Sequence, residues 1–217
     1  MPHQEYLNKK KEKLPSVTQV LGVINNRALF YWGIKMTKQG IDPIKYTAET
    51  AKIGTLTHSI VQFSIDKTPI EWSKYTKDQI LTACKISKRY FEWREYQYKL
   101  ENVMSECAFV SEKYQYGGCL DAIFKIDNDI VLFDFKTSSA IYDEMIAQVA
   151  AYKQLAEENG VKIDKCVILR LGRDDDYFEY REIKEKQLKQ GFKVFKAALK
   201  LYNEKKKFDN ILKKENK

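Results

Sequence analysis

Ile130-Val131-Leu132-Phe133-Asp134-Phe135-Lys136-Thr137 is a short apolar run that turns charged at its end. Such a run reads as a strand. Period two then puts Asp134 and Lys136 on one face, about 6.7 Å apart along the strand. Charges that end an otherwise apolar buried strand are costly unless they are paired or bound to something. A strand tip reaching solvent with an Asp–Lys ion pair meets that condition, and so does a functional site.

Working outward, a second carboxylate, Asp121, lies thirteen residues earlier on a strand-like stretch, Gly118–Ile126. Asp127-Asn128-Asp129 punctuates the two strands as a hairpin turn. A three-residue loop there would set Asp121 opposite Phe135, on the wrong face. A two-residue loop, its four-residue equivalent or a β-bulge brings Asp121 into line with Asp134 and Lys136. Two carboxylates from adjacent strands form a set that Mg²⁺ accepts, since it prefers oxygen ligands and few protein carboxylates. A metal there would activate water and offset charge on a phosphate, with Lys136 orienting that water.

Further polar residues fall around this pair. On the helix expected from about Ala140 to Glu158, Ile141, Met145, Gln148, Tyr152 and Leu155 share one face. Gln148 sits where a core stripe is normally apolar, so it either bonds locally or looks into a polar cleft. One turn apart, Gln148 and Tyr152 could reach a phosphate or sugar. Without the carboxylates, Tyr152 reads as core and Gln148 as its satisfied neighbour. In Gly54-Thr55-Leu56-Thr57-His58, the apolar stripe is Ile53, Leu56, Ile60 and Phe63. His58 projects roughly 180° from it, as a surface histidine or as a third metal ligand. Glu112 is either a further ligand or a surface glutamate.

The rest of the chain reads as helices, then a sheet with one crossover helix, then a closing helix. Residues 1–15 are polar and basic, a mobile arm ahead of one domain over 16–217. That domain divides into a helical region (16–104), a sheet core (105–184) and a C-terminal helix (185–217). Ser16 with Gln19 makes a capping box. Helices are expected over about Arg27–Lys38, Thr47–Ile65 and Thr76–Val103. In the last of these Ile80, Cys84, Phe91 and Tyr98 share a face, and its aromatic residues read as core more readily than as base-stacking groups. Strands are expected over Cys107–Tyr116, Val161–Leu171 and Tyr177–Ile183. Leu188, Phe192, Phe195, Leu199 and Tyr202 mark the amphipathic final helix.

Composition narrows the function classes. The 38 Lys+Arg against 30 Asp+Glu leave a net charge of +8, which suits a nucleic-acid partner or simply a solvated basic surface. Cys84, Cys107, Cys119 and Cys166 are scattered without Cys-x-x-Cys spacing, which argues against a zinc or iron–sulfur framework and for a reduced compartment. There is no apolar run of about 18 residues, so no membrane span is expected. The first fifteen residues lack the apolar core of a signal peptide. A cytoplasmic location is expected, which includes that of a phage protein inside its host.

Taken together, Glu112-Lys113-Tyr114-Gln115-Tyr116-Gly117-Gly118-Cys119-Leu120-Asp121, Phe133-Asp134-Phe135-Lys136-Thr137-Ser138 and Gln148-x-x-x-Tyr152 resemble the PD-(D/E)XK nuclease superfamily in its RecB-like branch. Pro15-Ser16-Val17-Thr18 and Gly54-x-x-x-His58 resemble the mitochondrial genome-maintenance exonucleases and related phage exonucleases. The resemblance spans about residues 15–155. It implies a mixed α/β restriction-endonuclease-like core, a central mixed sheet flanked by helices. It further implies Mg²⁺ or Mn²⁺ held by Asp121 and Asp134 with His58 and Glu112 assisting. Lys136 would be catalytic, and Gln148, Tyr152, Ser16 and Thr137 would contact DNA. The implied activity is exonucleolytic cleavage at DNA ends or single strands threaded past a helical arch, with protein partners in recombination, repair or replication. No iron–sulfur cluster is implied, because the flanking cysteines of cluster-bearing members are missing. A structure-specific endonuclease and a non-catalytic nucleic-acid-binding protein are the alternatives on the same fold.

Overall fold

A computed structural model describes residues 5–24, 27–97, 100–173 and 177–215. Two short strands, β1 (Tyr6–Leu7) and β2 (Lys13–Leu14), precede three helices, α1 (Val17–Leu21), α2 (Arg27–Lys38) and α3 (Pro43–Asp66). Next come α4 (Lys77–Glu95) and the strands β3 (Leu100–Ser111), β4 (Tyr116–Ile126) and β5 (Asp129–Lys136). Helix α5 (Asp143–Glu158) crosses to β6 (Lys165–Leu171), which is followed by β7 (Phe178–Glu182) and the long α6 (Glu185–Glu215). The five strands β3-β4-β5-β6-β7 form one mixed sheet, parallel only between β5 and β6. This is the order of helices, sheet and closing helix that the residue pattern implies, with the mixed sheet that the resemblance implies.

Local chemistry sets most boundaries. Ser16 and Thr76 each accept from the third backbone N–H of their helix, and Gln19 and Gln79 return the bond, so α1 and α4 start on capping boxes. Helix α3 starts earlier than its apolar stripe shows, because Asp42 accepts from Ile44 and Lys45 N–H and Pro43 occupies the first turn. Helix α4 does not run on to Val103. It ends at Glu95, where the Arg94 guanidinium donates to the carbonyls of Gln97 and Leu100, and Leu100 enters the β3–β4 ladder opposite Ile126. The buried face of α4 is Ala83, Ile86, Ser87 and Tyr90, whereas Cys84 is exposed and Phe91 largely so. Tyr98 lies outside the described residues. Tyr90 and Trp93 pack on Phe135 and Phe133, so these α4 aromatics are core.

The stretch read as a mobile arm is, over residues 5–15, a hairpin laid on the sheet. Tyr6 pairs with Leu14 and both are buried. The Asn8 amide ties the turn to Gln115, and Lys9 N–H donates to Glu112 Oε1 at 2.7 Å.

Two cores sandwich the sheet. Under α5 and α6, Leu120, Ile123, Leu132 and Ile168 meet Val149, Leu155 and Phe195. Under α3 and α4, Ala122, Phe124, Phe133 and Phe135 meet Val61, Ile86 and Tyr90. Even-numbered residues of β4 therefore change face between Leu120 and Ala122, with Asp121 at the changeover.

Gly117 is held by packing, since a Cβ there would overlap the Tyr6 ring. Gly117→Ala should cost about 1–3 kcal/mol, a fall of several degrees in Tm at roughly 2–4 °C per kcal/mol. In a Tyr6→Ala background the same change should cost much less, a coupling that a thermal-melt double-mutant cycle measures.

Candidate functional site

The hairpin between β4 and β5 decides which charges meet. Ile126 pairs with Asp129, so the turn is the two residues Asp127-Asn128, with Asp127 in the left-handed region at φ 53°. The ladder runs to Ala122↔Phe133 and stops, and the same register carried one pair further sets Asp121 across from Asp134. The strands part there, and the Asp121 carboxylate fills the gap: Oδ2 accepts the Phe135 N–H at 2.7 Å. Its other oxygen, Oδ1, lies 3.7 Å from His58 Nδ1.

Asp134 is 1% exposed. Its Oδ2 lies 2.5 Å from Lys136 Nζ, while Oδ1 has no hydrogen-bond partner among the described residues. Burial pushes this carboxyl up to about 6, opposed by the Lys136 ammonium and reinforced by the charge of Asp121. A buried carboxylate oxygen without a donor is expensive unless something outside the chain satisfies it.

Helix α3 reaches this point because Gly54 has no side chain. A Cβ at 54 would sit 3.0 Å from Thr137 Oγ1, just past the end of β5. One turn on, His58 then faces Asp121 and the edge of the Phe135 ring, 6.2 Å between centroids. The α3 stripe is divided: Leu56 and Ile60 pack against Ala83 of α4, Val61 packs on the sheet, and Phe63 is 45% exposed.

On the opposite face, Gln148 Nε2 donates to Tyr152 Oη at 2.9 Å. Tyr152 is buried over Gly118, where a Cβ would stand 2.7 Å from Tyr152 Cε1. Burial, and next the charge of Asp134, hold its phenol well above the ordinary range. Tyr152 is thus a core residue that orients Gln148, which is half-buried. Ser16 is the α1 cap and bridges to Gly117.

Asp121, Asp134, Lys136 and His58 are therefore gathered, with Thr137, Gln148 and Tyr152 beside them. Glu112 is not. It lies in the turn after β3, at the far end of β4 from Asp121, about 17 Å along the strand, and anchors the N-terminal hairpin. The acid that does face Asp121 is Glu106, flanked by the pairs Ser105↔Ala122 and Cys107↔Leu120. Burial and then the Asp121 charge push it up to about 7, against the lowering effect of the Cys119 thiol that donates to it at 3.3 Å. The four-residue turn Glu112–Gln115 was the signal that locates it: counting back across that turn from Asp121 arrives at residue 106.

Among the described residues, no three His, Cys, Asp or Glu side chains stand close enough to form a metal cage. The fit is to a two-carboxylate set, which suffices for Mg²⁺ because that ion keeps several of its waters. The unpartnered Asp134 Oδ1 is the atom that such an ion would satisfy.

A raised carboxyl makes the folded chain bind its proton more tightly than the unfolded chain, whose value is near 4. Stability from this group is therefore lost as pH rises from about 4 through about 6. In EDTA, Asp134→Asn should melt above wild type at pH 8, and the gap should narrow as pH falls toward 5. Calorimetry at both pH values measures it; a gap independent of pH would contradict the buried-charge cost.

No protein-family model and no curated protein matches the chain. Among solved structures, a protein from Eubacterium rectale, named as a candidate exonuclease, matches with a TM-score of 0.50 and 14% identity, over 70% of this chain and 68% of its own. A second solved structure, SSO0001, covers 68% of this chain and 73% of its own at 14% identity, with a TM-score of 0.33. The likeness to the Eubacterium rectale protein is one of fold.

Proposed function

We propose that this chain is a metal-dependent DNA nuclease of the PD-(D/E)XK type, in the RecB-like branch, acting as an exonuclease on DNA ends or single strands. The observation that carries the reading is Asp134: buried, paired with Lys136 on one oxygen, open on the other, and across from Asp121. Asp121 and Asp134 would hold Mg²⁺ or Mn²⁺, with His58 backing Asp121. When bound, the metal supplies a water of lowered pKa and offsets charge on the phosphate.

The remaining work falls to the chain. Lys136 Nζ orients the attacking water and faces the negative charge that grows on the phosphate oxygens. The Phe135 N–H fixes Asp121 Oδ2, so this carboxylate needs little reordering. Tyr152 accepts from Gln148 Nε2 and so turns the amide of Gln148 toward the strand. Thr137, beside Gly54, would touch the backbone of the same strand. Water attacks phosphorus in line, the P–O3′ bond breaks, and the product keeps a 5′-phosphate.

The reading includes a role in recombination, repair or replication, alongside protein partners in such a system. The net charge of +8 supports a polyanionic substrate. Among the described residues, no helix is long and apolar enough to cross a membrane.

End-labelled single-stranded DNA should be degraded in Mg²⁺ or Mn²⁺ and not in EDTA. Lys136→Ala should lower the rate by at least about 100-fold while DNA binding persists. Full activity in that variant would overturn the assignment. Covalently closed single-stranded circles should survive; their opening would show an endonuclease instead.

A further inference from the structure

A cavity of about 640 Å³ opens past the ends of β5 and β6, and its lining begins at Ser138, two positions beyond Lys136. Its walls come from α2, α3, the loop after β5, the start of α5 and the residue Arg173 after β6. It lies outside the carboxyl ends of the two parallel strands, where open α/β sheets commonly bind ligands.

Its lining is aromatic and polar, with one cation, Arg173, and one carboxylate, Glu144. Trp32 and Tyr46 face each other with centroids 5.9 Å apart, tilted by 52°. The Arg173 guanidinium lies over Tyr46, 5.6 Å from the ring centre, and Nη2 is 3.3 Å from Tyr46 Oη. Across the cavity, Tyr142 Oη and Ser139 Oγ are 3.0 Å apart, and Tyr142 is 45% exposed. The floor is held in place: buried Arg170 donates from Nη1 to the carbonyls of Ser138 and Ser139 at 3.1 and 3.0 Å.

We propose that this cavity seats an unstacked nucleobase of single-stranded DNA, next to the phosphate at Asp134 and Lys136. The proposal rests on the nuclease reading and names the form of its substrate. Every base has a flat π face, so Trp, Tyr and Arg planes bind single strands without choosing among sequences. A paired base cannot enter, because its faces are already stacked. Ser138 is two positions on from Lys136, at most about 7 Å of extended chain, so base and phosphate of one nucleotide reach both places. The Tyr46, Ser139 and Tyr142 hydroxyls line the cavity as donors and acceptors for the rim of that base.

The test compares fluorescein-labelled dT15 with an abasic 15-mer of the same charge, by anisotropy in EDTA. Wild type should bind dT15 roughly tenfold tighter than the abasic strand. The double variant Trp32→Ala, Tyr46→Ala should lose that preference and bind both strands as wild type binds the abasic one. Equal wild-type affinity for the two strands, no binding of dT15, or a preference kept in the variant overturns the proposal. A 5-iodouracil-substituted strand, crosslinked to wild type and mapped by mass spectrometry, needs no variant. Crosslinks at Trp32, Tyr46 or Tyr142 support the cavity, and crosslinks confined to other residues overturn it. Base-dependent binding without cleavage in either metal would sink the nuclease reading alone. Metal-dependent cleavage without base dependence would sink the cavity alone.

Discussion

The molecule's arrangement turns on the cost of keeping the Asp134 carboxylate inside a sheet core at 1% exposure. Lys136 neutralises one oxygen and leaves the other without a donor. A buried ion pair of this kind recovers little of its desolvation cost, and a half-satisfied one recovers less. Replacing the pair with apolar residues would give a better-packed strand, since from Ile130 to Phe135 β5 is otherwise Ile, Val, Leu and Phe. Local rules of strand packing are broken here, as they commonly are where a folded chain departs from them for function.

Several features elsewhere follow from building around that charge. The two-residue turn sets the register that brings Asp121 level with Asp134, and the parting of β4 from β5 gives the Asp121 carboxylate its place on the Phe135 N–H. Gly54 lets α3 close on Thr137, which delivers His58 to Asp121 from one face. Gly118 lets Tyr152 close on β4, which seats the Gln148 amide on the other. Two glycines thus serve two helices in the same way, each removing a Cβ where a polar side chain has to reach the sheet. The cavity at the ends of β5 and β6 continues that polar region outward, on a loop held by Arg170.

Much of this was legible from residue spacing, and the misses share a cause. The carboxylates and the lysine stand out because they break an apolar strand pattern, and His58 because it lies away from the α3 stripe. The turn was legible only as a constraint: three polar residues, Asp127 to Asp129, punctuate the strands, but only two of them lie outside the pairing. Glu112 was read as a neighbour of Asp121 through nearness in sequence, whereas a hairpin folds distance back on itself and brings Glu106 there instead. The aromatic spacing of α4 runs on beyond Glu95, whereas the Arg94 bonds to Gln97 and Leu100 and the ladder with β4 end the helix. The N-terminal hairpin was hidden by lysines, because nothing local shows that Tyr6 lies on Gly117. Contacts between strands, which residue spacing does not show, account for the end of α4, for Glu106 and for the N-terminal hairpin.

In the nuclease reading, Asp134 is kept buried and open for a divalent cation. That role is tested most directly by thermal melts of wild type and Asp134→Asn across a Mn²⁺ titration at fixed pH. A ligand that binds the folded state raises Tm in step with its concentration. The Tm of wild type should rise, and that of Asp134→Asn should stay flat. No rise in wild type, or the same rise in both proteins, would contradict that role.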